Sequence, residues 1–322
     1  MNPKILILSS IYDFSTDLVV LRLKEMQIPV LRLNREYLKD YKISLNPLQP
    51  SLFVKGPDFF AELTNEITSI FYRQPVFLRN TPSVPLSTSE QLERSQWMAF
   101  LRSLSVFVQS SWMNFPRSTY LAECKPYQLF LAKRIGFKVP STLVSNDCKT
   151  IKDHFTDKII IKSLDTVLLR EGNDCLFTYS SLDNLESLSE ENVSSTPLLA
   201  QTYLEDKIDL RVTIVGNQLY AVKILSNNKG IDGDWRVLPK NEIQYFDYCL
   251  EPQLEEFCKR LMRELDLNFG AIDLIETKSG IYFIEINPTG EWGWITDSNR
   301  QIDLSIARWL SNPRECSDRD LL

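Results

Sequence analysis

Hydrophobic positions along this chain switch between two periods, and each switch marks an element. Lys4–Ser9 (KILILS) is a short apolar run of the kind that forms a buried strand. Leu18–Met26 follows with helical spacing, and Pro29–Asn34 (PVLRLN) reads as a second strand. Ile67–Tyr72 and Phe77–Arg79 look extended again. Strands alternating with helical segments predict a small α/β domain at the N-terminus. No Gly-x-Gly-x-x-Gly follows the first strand, which argues against a dinucleotide site there.

Ser87-Thr-Ser-Glu90 is a capping box, in which the serine and glutamate satisfy each other's free backbone N–H groups. It predicts a helix through about Ser105, with Leu92, Met98, Leu101 and Leu104 as apolar positions. A strand is expected near Val106–Ser110, and Asn114-Phe-Pro116 then breaks the pattern. Pro126–Ile135 reads as a helix stopped by Gly136 and Pro140. Lys158–Lys162 (KIIIK) is a buried strand ending in a lysine, and Asp165–Asp174 reads as a loop. Leu198–Tyr203, Asp209–Val215 and Gln218–Leu225 are strand candidates, with a Gly216-Asn217 turn between the last two. A polar loop, Ser226–Asp234, follows. Pro252–Leu265 is the clearest helix, with Leu254, Phe257, Cys258, Leu261, Met262 and Leu265 on one face. Phe269–Glu276 and Ile281–Asn287 close the series as two strands. The expected fold class is α/β, divided into residues 1–115, 116–197 and 198–322.

Composition narrows the function. The chain has 322 residues, 43% of them hydrophobic and 24% charged, which is ordinary for a globular protein of two or three packed units. The net charge is -6 and no Lys/Arg run is long, so neither a nucleic acid nor a membrane surface is an expected partner. The N-terminal apolar run is short and Asp13 and Asp17 follow it, unlike a signal peptide or a membrane span. A cytoplasmic location is expected. The six cysteines form no Cys-x-x-Cys pair, which favours free thiols over a zinc or disulfide framework. There is one histidine, His154, in a polar stretch. Zinc hydrolysis by a histidine cluster is therefore excluded, and a Ser-His-Asp triad would rest on this residue alone.

The last hairpin carries the chemistry. A three-residue loop, Lys278-Ser279-Gly280, would set Asp273 opposite Glu285. Alternation along the strands then puts Asp273, Glu285 and Asn287 on one face, among apolar neighbours. Two bare carboxylates are costly to bury, and a hard divalent cation removes that cost. Two carboxylates, an amide oxygen and nucleotide phosphates suit magnesium. The plainer reading is a polar stripe facing water on an edge hairpin. Lys162 at the end of its apolar strand is placed to reach a phosphate, although strand-end lysines also snorkel to water. Arg211 and Arg236 each follow an aspartate by two positions (Asp209 and Asp234), and an Arg fork suits phosphate or carboxylate. Taken singly, either could be a surface ion pair of little worth.

Taken together and in this order, Lys162, Gln201-Thr-Tyr-Leu-Glu205, Asp209-Leu-Arg211, Asp234-Trp-Arg236, Asp273 and Glu285-Ile-Asn287-Pro resemble an ATP-grasp enzyme. The resemblance runs from about Pro116 to Trp294. The ending FIEINPTGEWGWI, the stretch FYRQP (Phe71–Pro75) and the DWR triplet are similar to the ribosomal-peptide maturases that make graspetides, such as microviridin ligases. This likeness implies a pre-ATP-grasp domain, a central lid and a C-terminal subdomain with ATP and Mg2+ as cofactors. Lys162 and Lys125 would contact the phosphates of ATP. Gln201, Thr202, Tyr203 and Leu204 would form the adenine hinge, and Asp209 would hold the ribose. Arg236 would sit near the γ-phosphate or acyl phosphate, and Arg211 would place the acceptor carboxylate. Asp273, Glu285 and Asn287 would bind magnesium. The partner implied is a ribosomal precursor peptide, leader and core, and the assembly implied is a homodimer. Two features depart from the pattern. The stretch matching the usually glycine-rich lid loop, Asp165–Thr178, has only Gly172, and Glu291 stands where these maturases often carry glutamine.

The reaction implied is phosphorylation of an Asp or Glu side chain of the peptide, followed by attack of a Ser/Thr hydroxyl or Lys amine to give an ester or amide cross-link with ADP and phosphate. It needs no protein nucleophile. Two alternatives share the motifs: a RimK-like ligase that adds an amino acid to a peptide or protein C-terminus, and a non-catalytic ATP-binding regulator. Nucleotide binding without ADP release on any peptide would identify the regulator.

Overall fold

A computed structural model describes residues 2–73, 86–165, 168–171, 174–177 and 181–316. The first sheet is parallel. β1 (Ile5–Ser9), α1 (Phe14–Glu25) and β2 (Val30–Asn34) form one crossover unit. β3 (Lys42–Asn46), β4 (Ser51–Lys55) and β5 (Phe60–Thr64) form a separate antiparallel meander. The chain then returns to the parallel sheet as β6 (Ser69–Tyr72), runs through α2 (Thr88–Ser103) and adds β7 (Ser111–Met113), giving the order β2-β1-β6-β7. The meander was not anticipated, because its strands expose one face and read as weakly polar sequence. Phe77–Arg79, Gln74 and Pro75 lie outside the described residues.

The capping box is formed as expected: Ser87 accepts from the Glu90 N–H and the Glu90 carboxylate accepts from the Ser87 N–H. Met98, Leu101 and Leu104 are buried, but Leu92 is exposed. The strand expected at Val106–Ser110 is a correction. Leu104–Val106 is a short 3-10 turn, and the strand starts only at Ser111. Phe107 is fully buried and the Trp112 Nε1–H donates to its carbonyl, so this apolar run is a packed turn that feeds the strand.

α3 (Pro116–Ala122) and α4 (Lys125–Ile135) lead into a second, antiparallel sheet. It comprises β8 (Thr142–Ser145), β9 (Ile159–Lys162), β12 (Ser181–Asp183) and β13 (Leu198–Thr202), in the order β12-β9-β13-β8. α5 (Cys148–His154) and α6 (Glu190–Val193) belong to the same region. The expected loop at Asp165–Asp174 is also corrected. β10 (Leu168–Glu171) and β11 (Asp174–Phe177) pair antiparallel, with Glu171 opposite Asp174. Gly172-Asn173 between two short β-prone runs was a hairpin signal.

The third sheet holds the site. β14 (Ile208–Val215), β15 (Gln218–Leu225), β16 (Gln244–Asp247), β17 (Phe269–Thr277) and β18 (Gly280–Asn287) pair antiparallel in the order β16-β15-β14-β17-β18. α7 (Pro252–Glu264) packs Cys258, Leu261 and Met262 against this sheet together with α4, burying Leu210, Val212, Ile272 and Phe283 between them. α8 (Ile302–Ser311) lies against α1, and their contact forms a second core with Phe269 and Trp292. The edge strand β18 is completed by a side chain: Gln128 of α4 donates to the Ile286 carbonyl at 2.8 Å and accepts from its N–H at 3.0 Å.

Asn114 joins the first sheet to the third. Its Oδ1 accepts from the Asn268 and Phe269 N–H groups at 2.7 and 2.9 Å. Its Nδ2 donates to the Phe269 and Pro288 carbonyls at 2.8 and 3.1 Å. The residue read only as a pattern break is thus the buried link between two units of the chain. Among the described residues no helix is long and apolar enough to cross a membrane.

Candidate active site

The hairpin of β17 and β18 places Asp273 directly opposite Glu285, but by a different route from the one expected. Thr277 pairs with Gly280, so the turn has two residues, Lys278 and Ser279. That turn alone would pair Asp273 with Ile284 and send Glu285 to the other face, because a one-residue slip inverts every side chain. A bulge restores the pairing: Leu274 faces Phe283, Asp273 faces Glu285, and Ile284 is the extra residue. The bulge therefore brings the two carboxylates to one face.

Those carboxylates share a cation. The Arg236 Nη2 donates to Asp273 Oδ2 at 2.8 Å and to Glu285 Oε1 at 3.0 Å. Its Nη1 reaches Asp234 Oδ2 at 3.3 Å, and the Asp234 carboxylate also caps the Trp235–Val237 turn by accepting from the Arg236 N–H. Arg211 holds the other side of the acidic pair, donating from Nη1 to Asp273 Oδ1 at 2.7 Å. The neighbouring Asp209 is not its partner; Asp209 pairs with Lys207, also buried. Lys207 immediately precedes β14, two positions before Asp209, a spacing that could have signalled the pair.

The electrostatics follow from burial and these partners. Burial opposes ionisation of Glu285, yet Arg236, Lys162, Lys125 and Arg211 outweigh it and hold the carboxyl at about 2. Burial pushes Asp209 up to about 6, with Lys207 offsetting part of the rise. Burial also lowers Lys162, against the pull of Glu285 and Asp273. Lys162 points inward and donates to Gln201 Oε1 at 3.1 Å. It does not snorkel to water.

A cavity holding about 680 Å3 of empty space, its mouth included, collects most of the anticipated residues. Lys162, Gln201, Thr202, Tyr203, Leu204 and Asp209 line one part of it, and Arg236, Asp273 and Glu285 line another. Apolar walls come from Ile160, Leu274, Ile275 and Ile284, which sequence alone did not single out. Three anticipated residues are not among the lining. Arg211 lies behind Asp273. Lys125 donates to the Leu164 carbonyl at 3.4 Å. Asn287, in register with Ala271, accepts from the Thr289 N–H and hydroxyl at 3.1 and 3.3 Å. Among the described residues no three His, Cys, Asp or Glu side chains gather at one point, so a metal here would draw on the acidic pair and on oxygens of other kinds.

Glu291 has a defined role in the packing. Its carboxylate accepts from Arg73 Nη2 at 2.7 Å and from the Ser15 hydroxyl at 2.8 Å, and its carbonyl accepts from Arg211 Nη2 at 3.3 Å. Arg73 is fully buried beside Asp13 and also holds the Thr289 carbonyl. The segment after β18 is thus fixed from the N-terminal sheet and from Arg211. Gly290 fits this clamp only without a side chain. A Cβ there would lie 2.5 Å from the Ala271 Cβ and 2.7 Å from Arg211 Nη2. Gly290→Ala is expected to displace Arg211 and to cost about 1–3 kcal/mol, as overpacked sites do. A urea midpoint unchanged from that of the unsubstituted protein would refute this.

Three comparisons with known proteins bear on the site. The family model described as the RimK-like ATP-grasp domain matches residues 123–310, more than half of the chain. A search of curated proteins found no match. Among solved structures, a Chryseobacterium gregarium RiPP-associated ATP-grasp ligase in complex with ADP, a leader and a core peptide is 25% identical over 97% of each chain, with a TM-score of 0.84. The macrocyclase MdnC of Microcystis aeruginosa, bound to precursor peptide MdnA, is 23% identical over 97% of this chain and 100% of its own, at TM-score 0.81. The ATP-grasp ligase PsnB, complexed with a phosphomimetic variant of a minimal precursor, Mg and ADP, is 17% identical over 96% of this chain and 98% of its own, at TM-score 0.74. With its fold shared along nearly the whole length and a family model covering the segment that carries Lys162, Arg236, Asp273 and Glu285, the chain belongs to the RimK-like ATP-grasp family and is an ATP-grasp ligase.

Proposed function

We propose that this ligase uses ATP to phosphorylate Asp or Glu side chains of a ribosomal precursor peptide and closes them into intramolecular esters or amides. One observation carries the reading: two opposed carboxylates converge on a single cationic group at the floor of a cavity that Lys162 also enters. The resemblance of the FIEINPTGEWGWI ending, and the peptide complexes of the similar ligases, support the choice of substrate. The first boundary of the division into residues 1–115, 116–197 and 198–322 is supported by the end of the first sheet at Met113 and the start of α3 at Pro116, whereas β13 (Leu198–Thr202) pairs inside the second sheet, so we place the second boundary after Thr202.

The acidic pair fits a magnesium ion. Both carboxylates already aim at one positive group, and hard oxygen donors are what this ion takes. Asp273, Glu285 and Asn287 would hold it. When bound, it would neutralise charge on the nucleotide phosphates and orient them. The protein groups do the rest. Gln201 to Leu204 would hold the adenine along the cavity wall, and Asp209 would accept the ribose hydroxyls. Lys162 and Arg236 would stabilise the charge that spreads over the transferring phosphoryl group. Arg211, behind Asp273, would act on the peptide carboxylate only through the position it gives Asp273. A hydroxyl or amine of the same peptide would then displace phosphate, with the lid excluding water that would otherwise consume the acyl phosphate.

The test is incubation of a candidate peptide rich in Thr, Ser, Asp and Glu, encoded beside this gene, with the protein, ATP and magnesium. Loss of one water per ring together with ADP release is expected. An unchanged peptide mass would refute the reading.

Nucleotide affinity should also depend on pH. Asp209 titrates near about 6, and its carboxylate form is the better acceptor for ribose hydroxyls. ADP affinity is therefore expected to fall as pH drops from about 7 to about 5. Glu285, held at about 2, stays ionised throughout that window. Calorimetry on Asp209→Asn should give weaker binding and a shallower profile, its remaining slope coming from the terminal phosphate of ADP, which also takes up a proton in this window; an unaltered pH dependence would exclude Asp209 as a source.

A further inference from the structure

The guanidinium of Arg236 stands where the acidic pair converges, bonded to Asp273 and to Glu285 through the same nitrogen. A metal held by both carboxylates needs those same oxygens. The surroundings already hold no excess of negative charge: Asp234, Asp273 and Glu285 stand against Arg211, Arg236, the half-buried Lys162 and Lys125. Adding a free dication would place unbalanced positive charge beside these four cations. Adding it together with nucleotide phosphates would not. Arg236 is also the member of the site best able to move. It sits on a short 3-10 turn, and its side chain is about one-third exposed (35%). The turn follows Gly233, whose φ is +72° and which has open space on its Cβ side. Arg211 cannot yield in the same way, being buried and held by Asp273, the Glu291 carbonyl and the close approach of Gly290.

We propose that Arg236 and the divalent metal compete for one carboxylate pair, so that metal is admitted with the nucleotide and the displaced guanidinium turns to the phosphates. In the nucleotide-free protein Arg236 keeps Asp273 and Glu285 neutralised and holds free metal out. This rests on the magnesium reading given above and adds an order of events to it.

Manganese tests this without any peptide and without turnover. Free Mn2+ is titrated into the unsubstituted protein, Arg236→Gln, Arg236→Ala and Lys162→Gln, with and without ADP, and followed by the electron paramagnetic resonance of the unbound ion. Circular dichroism checks that each variant is folded. Without ADP, both Arg236 variants are expected to bind Mn2+ at least about tenfold more tightly than the unsubstituted protein. Lys162→Gln removes a nearby positive charge that bonds neither carboxylate, and should gain no more than about threefold. The two Arg236 variants check each other, since alanine cannot supply a ligand as a glutamine amide can. Equal Mn2+ affinity in the unsubstituted protein and the Arg236 variants would overturn the competition while leaving the metal site standing. A gain in Lys162→Gln as large as in Arg236→Gln would overturn it too, by reducing the effect to net charge. No Mn2+ binding by any form, even with ADP, would remove both the competition and the metal site.

Discussion

Glu285→Ala should lower the rate of cross-link formation by about a thousandfold or more, with the fold intact. The magnitude follows from the role proposed for this carboxylate. Metal and preorganised charge at a transferring phosphoryl group are worth several kcal/mol, and each ~1.4 kcal/mol is a factor of ten in rate. Glu285 is a cleaner target than Asp273. Asp273 is the partner of the buried Arg211, so truncating it would leave a buried charge unpaired and damage stability as well. Among the described residues Glu285 forms an ion pair with Arg236, and Arg236 keeps Asp234 and Asp273 when it is gone. Peptide mass and released ADP, measured on the same samples, check the result. A variant retaining more than about one-tenth of the activity would place the metal and phosphate chemistry elsewhere.

The largest effect on stability is expected at Asn114. Asn114→Ala removes the acceptor of two buried backbone N–H groups, Asn268 and Phe269, and the donor to the Phe269 and Pro288 carbonyls. A buried polar group left without a partner costs about 1–3 kcal/mol. Several lost at once, at a buried residue, predict a loss of about 4 kcal/mol. Asn114→Asp keeps the acceptor but sets a buried carboxylate oxygen against the Phe269 and Pro288 carbonyls, so at neutral pH it should be at least as damaging as alanine. Urea unfolding midpoints of the three proteins measure the series. A shift for Asn114→Ala worth less than about 1 kcal/mol would show that the linkage between the sheets does not depend on this amide. Because the same carbonyls border the segment that positions Arg211, the variant should also lose activity before it unfolds.

Much of this molecule is legible along the chain because much of it is local. The capping box at Ser87 and Glu90 and the apolar face of α7 are set by residues within a few positions of one another. The same holds for the strands β14, β15, β17 and β18, whose apolar alternation and turn residues fix neighbour to neighbour. Two runs were misread for physical reasons. Val106–Ser110 is apolar and short, and a packed turn uses such residues as readily as a strand does. The Leu168–Glu171 and Asp174–Phe177 strands are only four residues each and end in charged residues at Glu171 and Asp174, so their pairing signal lay in the Gly172-Asn173 dipeptide between them.

The acidic pair shows where the boundary runs. Sequence determined which residue types stand on the last two strands and that these strands pair as a hairpin, but its turn alone does not give the register that sets Asp273 opposite Glu285. Only the tertiary structure decided that a two-residue turn plus a bulge at Ile284, and not a longer loop, sets that register. Only it placed Arg236 between the carboxylates, Gln128 on the open edge at Ile286, and Arg73 under Glu291. Those partners are separated by tens to hundreds of positions, and no periodicity links them. Their contacts depend on how the three sheets dock, which is set by summed burial across the cores and leaves no pattern in any one segment.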